Sequence, residues 1–147
     1  MAGDLSGATL LRAVGAATQA SPAPKVFSAV QGLETYSTRF FIEWTDRNGV
    51  ERSLHLTPDV YTRLRGPYSR RNVYGATLAY GPVLWTNPHT RRMFEAVAAY
   101  ALCGQAPLLR ELGIDPPPAP GSVRVRLEPL PGTDIGDLPR ILRAPCR

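Results

Sequence analysis

Apolar and polar side chains alternate with period two from Arg39 to Thr45 and again from Val50 to Leu56. Alternation of this kind marks strands with one face on a core. The intervening Asp46-Arg47-Asn48-Gly49 carries the turn chemistry, and the register follows from its length. A two-residue Asn-Gly loop would set Ile42 opposite His55 and mix the two faces. A three-residue loop, Arg47-Asn48-Gly49 with Gly49 in the left-handed region, sets Ile42 opposite Leu54, Phe40 opposite Leu56 and Trp44 opposite Arg52. The second register leaves one continuous apolar face, and we expect it. Phe41, Glu43, Ser53 and His55 then share the other face.

The pattern changes to helical punctuation after Leu56. Thr57-Pro58-Asp59 reads as an N-cap, a proline at the first helical position and an acid in the first turn, with Gly66-Pro67 as the stop. A second helix is expected from about Ser69 to Tyr80, ended by Gly81-Pro82. A third opens at Asn87-Pro88 and closes at Gly104, with Met93, Phe94, Val97, Tyr100 and Ala101 forming its buried stripe. A short fourth runs from Pro107 to Leu112, capped by Gly113. Beyond the stiff Asp115-Pro116-Pro117-Pro118-Ala119-Pro120 connector, Ser122 to Glu128 alternates strictly enough to form a strand, which should return to pair with the hairpin.

These elements predict an α+β fold: a small antiparallel sheet, the hairpin of 39–56 plus a strand at 122–128, packed against three to four helices. Residues 1–25 read as an Ala/Gly-rich segment and linker, with one short helix over about Asp4–Thr18. Residues 26–128 form the expected single α+β domain. Residues 129–147 read as a proline-rich C-terminal extension that wraps the surface, with a turn of helix around Leu138–Leu142.

Composition adjusts this picture only in places. At 147 residues the chain has room for one domain whose core needs neither metal nor disulfide. It carries 15 prolines, and its 17 basic residues are 16 Arg and one Lys, Lys25. Near-exclusive arginine is what a high-GC, bacterial-like genome encodes, so the net charge of +5 is a weak guide by itself. No apolar run reaches the length of a membrane span, and Asp4 and Arg12 interrupt the N-terminal apolar stretch, so the expected location is the cytoplasm. Two cysteines make no disulfide framework in a chain of this length. Cys103 is expected as a buried thiol and Cys146 as a thiol in the tail.

Familiar catalytic motifs are missing: no Walker loop, no dinucleotide G-x-G-x-x-G, no paired C-x-x-C, no H-E-x-x-H. Ser53, His55 and Glu43 share a face, but Ser53 and His55 stand roughly 6.6–7 Å apart along one strand, beyond direct contact. His89 falls in the first turn of the third helix as a surface imidazole. Asp134 and Asp137 lie close together in a Gly/Pro segment, where carboxylates are solvated. No catalytic residue, metal or cofactor is assigned.

Location makes the arginines informative. Arg63, Arg65, Arg70, Arg71, Arg91 and Arg92 fall in a span with no acid, so the remainder of the chain carries 11 basic against 12 acidic residues. Arg70-Arg71 and Arg91-Arg92 sit near helix N-termini, where cations oppose the helix dipole. Either neighbouring carboxylates offset them or an anion binds there. Tyr68 and other aromatics are interleaved with these arginines. The leading expectation is a non-catalytic binding or accessory domain contacting a protein partner or anionic ligand through Arg63, Arg65, Tyr68, Arg70, Arg71, Arg91 and Arg92. Nucleic acid on the same cationic face is the first alternative, and a hydrolase around His55 the second.

Overall fold

The computed structural model describes residues 37–115 and 117–146. The expected helix over Asp4–Thr18 and the expected start of the folded body near Val26 lie outside the described residues. The fold is α+β, with a four-stranded antiparallel sheet in the order β2-β1-β3-β4 and five helices, all among the described residues. The strands are β1 (Thr38–Thr45), β2 (Glu51–His55), β3 (Arg124–Pro129) and β4 (Ile141–Arg143). The helices are α1 (Pro58–Thr62), α2 (Tyr68–Ala79), α3 (Gly81–Thr86), α4 (Pro88–Cys103) and α5 (Leu108–Glu111).

The hairpin adopts the register expected from its alternation, with Ile42 opposite Leu54 and Trp44 opposite Arg52. Its turn is built by Asp46, whose Oδ1 accepts from the amides of Asn48 at 2.8 Å and Val50 at 3.0 Å. Gly49 completes it at φ 79°, a left-handed conformation that glycine adopts without steric cost. β3 pairs with β1 as anticipated, placing Val125 opposite Ile42 and Leu127 opposite Phe40. One sheet face thus gathers Ile42, Trp44, Leu56, Val125 and Leu127, and the helical layer covers it with Tyr74, Leu78, Phe94, Ala98 and Leu102. Each large side chain buried there contributes about 1.5–3 kcal/mol of apolar transfer.

Helix starts follow the sequence. Thr57 Oγ1 accepts from Val60 N, and the Asn87 side chain accepts from His89 N, each with proline just inside the helix. Four expectations need correction. Gly81-Pro82 ends α2 but also opens α3, since a proline in the first turn lacks only a donor that the helix leaves unused. The buried stripe of α4 is Phe94, Ala98, Ala101 and Leu102, while Met93 and Tyr100 are 54% and 43% exposed. Alanine permits close approach of a neighbouring helix, so the true stripe is turned away from the larger side chains.

The third correction concerns the C-terminal region. In place of a helical turn on the surface, Ile141–Arg143 forms β4 against β3, and Leu142 is 2% exposed within the core. Gly81 makes this possible: a Cβ there would collide with Leu142 Cδ1 and stand 3.1 Å from Phe94. Fourth, Cys103 and Cys146 are not separate thiols but one disulfide, joining the end of α4 to the chain beyond β4. Among the described residues, no helix is long and apolar enough to cross a membrane.

Candidate partner-binding groove

The loop from α1 to α2 is shaped around one carboxylate. The amide of Arg65 donates to the main-chain oxygen of Glu111 at 3.1 Å, and Arg70 Nη1 meets Glu111 Oε1 at 2.8 Å. Gly66, at φ 90°, lets the chain pass this ion pair: a Cβ there would lie 2.8 Å from Glu111 Oε2 and 3.0 Å from Arg70 Cζ. Arg71 Nη2 donates to the Leu64 carbonyl at 2.6 Å, and the Tyr61 hydroxyl donates to the Arg71 carbonyl at 2.6 Å. Tyr74 sends its hydroxyl to the Ala106 carbonyl at 2.6 Å. Burial, reinforced by the nearby Glu111 charge, holds that phenol above its ordinary pKa.

Arg91 and Arg92 lie elsewhere. Tyr74 of α2 reaches Ala106 beyond the end of α4, and Gly81 after α2 approaches Phe94 in the first half of α4, so the two helices run antiparallel. Arg70 and Arg71 therefore accompany the C-terminal end of α4, and Arg91 and Arg92 occupy its N-terminal end. A 16-residue helix separates these ends by about 24 Å. Arg91 Nε donates to the Trp85 carbonyl at 2.8 Å, and its guanidinium stands 5.0 Å over the Trp85 ring. Arg92 is exposed and makes no ion pair among the described residues.

Five of the seven expected contact residues, Arg63, Arg65, Tyr68, Arg70 and Arg71, thus belong to the segment at one end of the helical layer, with Arg91 and Arg92 at the other. The dipole conflict at the helix starts is met internally. Glu111 offsets Arg70, and main-chain oxygens receive Arg71 Nη2 and Arg91 Nε, while Arg71 Nε and Glu111 Oε2 are buried without a hydrogen-bond partner. Tyr68 is 76% exposed, and Arg63 and Arg65 are exposed with no ion pair among the described residues.

Arg65 has a further role in the geometry. It lines a groove of about 780 Å³ between the end of α4, α5 and the 117–121 connector. Arg110 lines the same groove, and Asp115 is the one acid on its wall among the described residues. Arg110 has only a long contact, 3.5 Å, to the Gln105 carbonyl. Prolines 107, 117, 118 and 120 stiffen the wall, and the Cys103–Cys146 disulfide closes one side. Sequence reasoning did not single out Arg110, and it missed the disulfide. An isolated arginine on a four-residue helix and a cysteine pair 43 residues apart carry no local signature.

The outer sheet face uses arginine differently. Arg126 Nε and Arg124 Nε bind the two oxygens of Glu43 at 2.6 and 2.8 Å. The Arg126 hydrogen bond, joined by that of Arg124, holds the Glu43 carboxyl below its usual range despite its burial, and Glu43 raises both arginines in return. Phe41 is sandwiched between Arg126, 4.1 Å over its ring, and His55, stacked at 4.6 Å. Glu43 is thereby committed to the arginines, and His55 to a ring. Asp134, one of the paired tail acids, accepts from the Gly136 amide at 2.8 Å.

No protein-family model matches the chain, and no curated protein or solved structure matches it. The functional reading therefore rests on the geometry of this molecule.

Proposed function

We propose that the chain is a non-catalytic binding domain that holds an acidic segment of a partner protein in the groove between α4, α5 and the proline-rich connector. The observation that carries this reading is the charge imbalance of the groove: Arg65 and Arg110 line it against Asp115 alone, and neither guanidinium makes an ion pair among the described residues. A guanidinium presents a planar fork of donors that matches a carboxylate. The volume falls within the range of sites that enclose small ligands or a few residues of peptide. Proline walls reduce the ordering cost of binding, because the chain there is stiff before a partner arrives. Exposed Tyr68 lies on the same chain segment as Arg65, outside the groove lining.

The division of the arginines between two ends of the helical layer favours a short acidic segment over a continuous phosphate backbone, which asks for a cationic track. The disulfide bears on location. Such bonds persist in oxidising compartments and are transient in the cytoplasm. A cytoplasmic protein would therefore yield free thiols at Cys103 and Cys146 when alkylated directly from cells, whereas a protein of an oxidising compartment would not.

The binding proposal is tested by fluorescence anisotropy with a short labelled Asp/Glu-rich peptide and with labelled oligo-dT. The peptide should bind, and Arg65→Ala combined with Arg110→Ala should weaken it by roughly tenfold or more, since each charge-assisted contact is worth about 1.5–3 kcal/mol. Tighter binding of oligo-dT than of the peptide, or an affinity unchanged in the double variant, would overturn it.

A further inference from the structure

Among the described residues β2 is an edge strand, and the direction of its main-chain groups can be read from the hydrogen bonds at its two ends. Leu56 N donates to Phe40 O at 2.8 Å, and Asp46 N donates to Val50 O at 2.9 Å. Even-numbered residues of this strand therefore face β1, and Glu51, Ser53 and His55 direct their amides away from the sheet. The carbonyls of Glu51 and Ser53 point the same way. That of His55 accepts from Thr57 N at 3.1 Å. All of β2 except Leu54 is exposed, and its pairing with β1 runs unbroken from Glu51 to His55, without a bulge. No proline interrupts it. Bulges and prolines are two of the devices by which natural sheets block edge pairing; of the others, β2 carries the charges of Glu51 and Arg52.

We infer that two copies of this chain associate through β2, antiparallel, about a two-fold axis at Ser53. Charge separates the registers centred on Glu51 and on Ser53. Pairing centred on Glu51 sets two carboxylates directly opposite one another, which is unfavourable. Pairing centred on Ser53 sets Glu51, whose carboxylate also holds Thr45 Oγ1 and Arg124 Nη2, beside the Phe41-stacked imidazole of His55 of the second copy twice, with no like charges opposed. On the inner face it sets Arg52 beside Leu54, and half-exposed Val50 opposite Leu56. This arrangement supplies four ladder hydrogen bonds, two between the Ser53 residues and two from His55 amides to Glu51 carbonyls. The opposite edge offers no equal strand, because β4 has three residues and lies between Pro139 and Pro145. The contact is isologous and closes on itself, giving a dimer of modest area and rapid exchange.

Sedimentation velocity over a concentration series, with residue-resolved amide exchange by NMR, tests the inference. The wild-type chain should pass from monomer to dimer with rising concentration. In step with this, the amides of Ser53 and His55 should become protected, while those of Arg52 and Leu54 stay protected throughout. Ser53→Pro removes two ladder donors and should weaken association roughly tenfold or more. Ser53→Lys leaves the main chain intact, sets two ammonium groups against each other on the axis, and should weaken it several-fold. Unchanged circular dichroism establishes that each variant is folded. A monomer at millimolar concentration, or a dimer indifferent to both substitutions, would overturn the inference. So would protection of Ser53 that does not depend on concentration.

Discussion

On the outer face of the sheet, Arg124 and Arg126 converge on Glu43 at 2.8 and 2.6 Å, whereas at the groove Arg65 and Arg110 face a wall whose one acid among the described residues is Asp115. The same side chain serves two purposes because of what folds against it. Residues facing each other across β1 and β3 come in opposite charge, and their pairing is local to the sheet. The groove is lined mostly by the run from Leu102 to Val123 with Arg65 brought to it, and neither of its arginines makes an ion pair among the described residues. A sequence-wide excess of arginine therefore says less about binding than the distribution of acids around each guanidinium. Arg70 shows the intermediate case, a predicted contact residue satisfied by Glu111 from 41 positions away.

The largest effect that sharpens this contrast should come from the disulfide, which holds the groove wall covalently. Replacing both Cys103 and Cys146 with Ser opens a loop of 43 residues and should cost about 3–4 kcal/mol by chain entropy. The peptide affinity should fall as well. Thermal melting with and without a reductant checks the first effect, and a variant as stable as the wild type would show that the wall needs no staple.

Next comes the sheet. Glu43→Gln removes the carboxylate that two guanidiniums share and should cost about 1–3 kcal/mol, with no change in peptide affinity. The Glu43 side chain is 13% exposed, so screening by water is limited. Its pH dependence has a definite sign. Because the folded carboxyl titrates below its ordinary value, its stabilisation is complete above the unfolded carboxylate range and is lost as pH falls through the lower folded value. Denaturant midpoints measured from pH 7 downward should decline less steeply in Glu43→Gln than in the wild type; parallel curves would deny Glu43 this role.

The smallest stability effect should come from the groove arginines. Arg65→Ala and Arg110→Ala should each shift stability by no more than about 0.5 kcal/mol, as exposed side chains without ion pairs do. A larger loss in urea titration would place them among the structural cations of the sheet.

Much of the fold was legible because local signals agreed with the tertiary arrangement. Strict alternation, with Asp46 and Gly49 supplying the turn, specified the hairpin register, and Thr57-Pro58 and Asn87-Pro88 marked helix starts through capping that needs no distant partner. What escaped depends on contacts made far along the chain. β4 is three residues among prolines, and only the cleft over Gly81 that receives Leu142 makes it a core strand. The α4 stripe was misjudged because Ala98 and Ala101 carry little hydrophobic signal, yet they pack where Met93 and Tyr100 do not. At the groove, Arg65 was among the expected contact residues, but Arg110 was not. Their common cavity exists only once the connector and α5 are folded beside α4.

The division between structural and binding arginines is tested most directly by titrating the labelled acidic peptide in parallel against Arg65→Ala/Arg110→Ala and Arg124→Ala/Arg126→Ala at one salt concentration. The groove variant should lose roughly tenfold or more in affinity, and the sheet variant should bind as the wild type does. Equal losses in both, or a loss confined to the sheet variant, would contradict the assignment of the groove as the site.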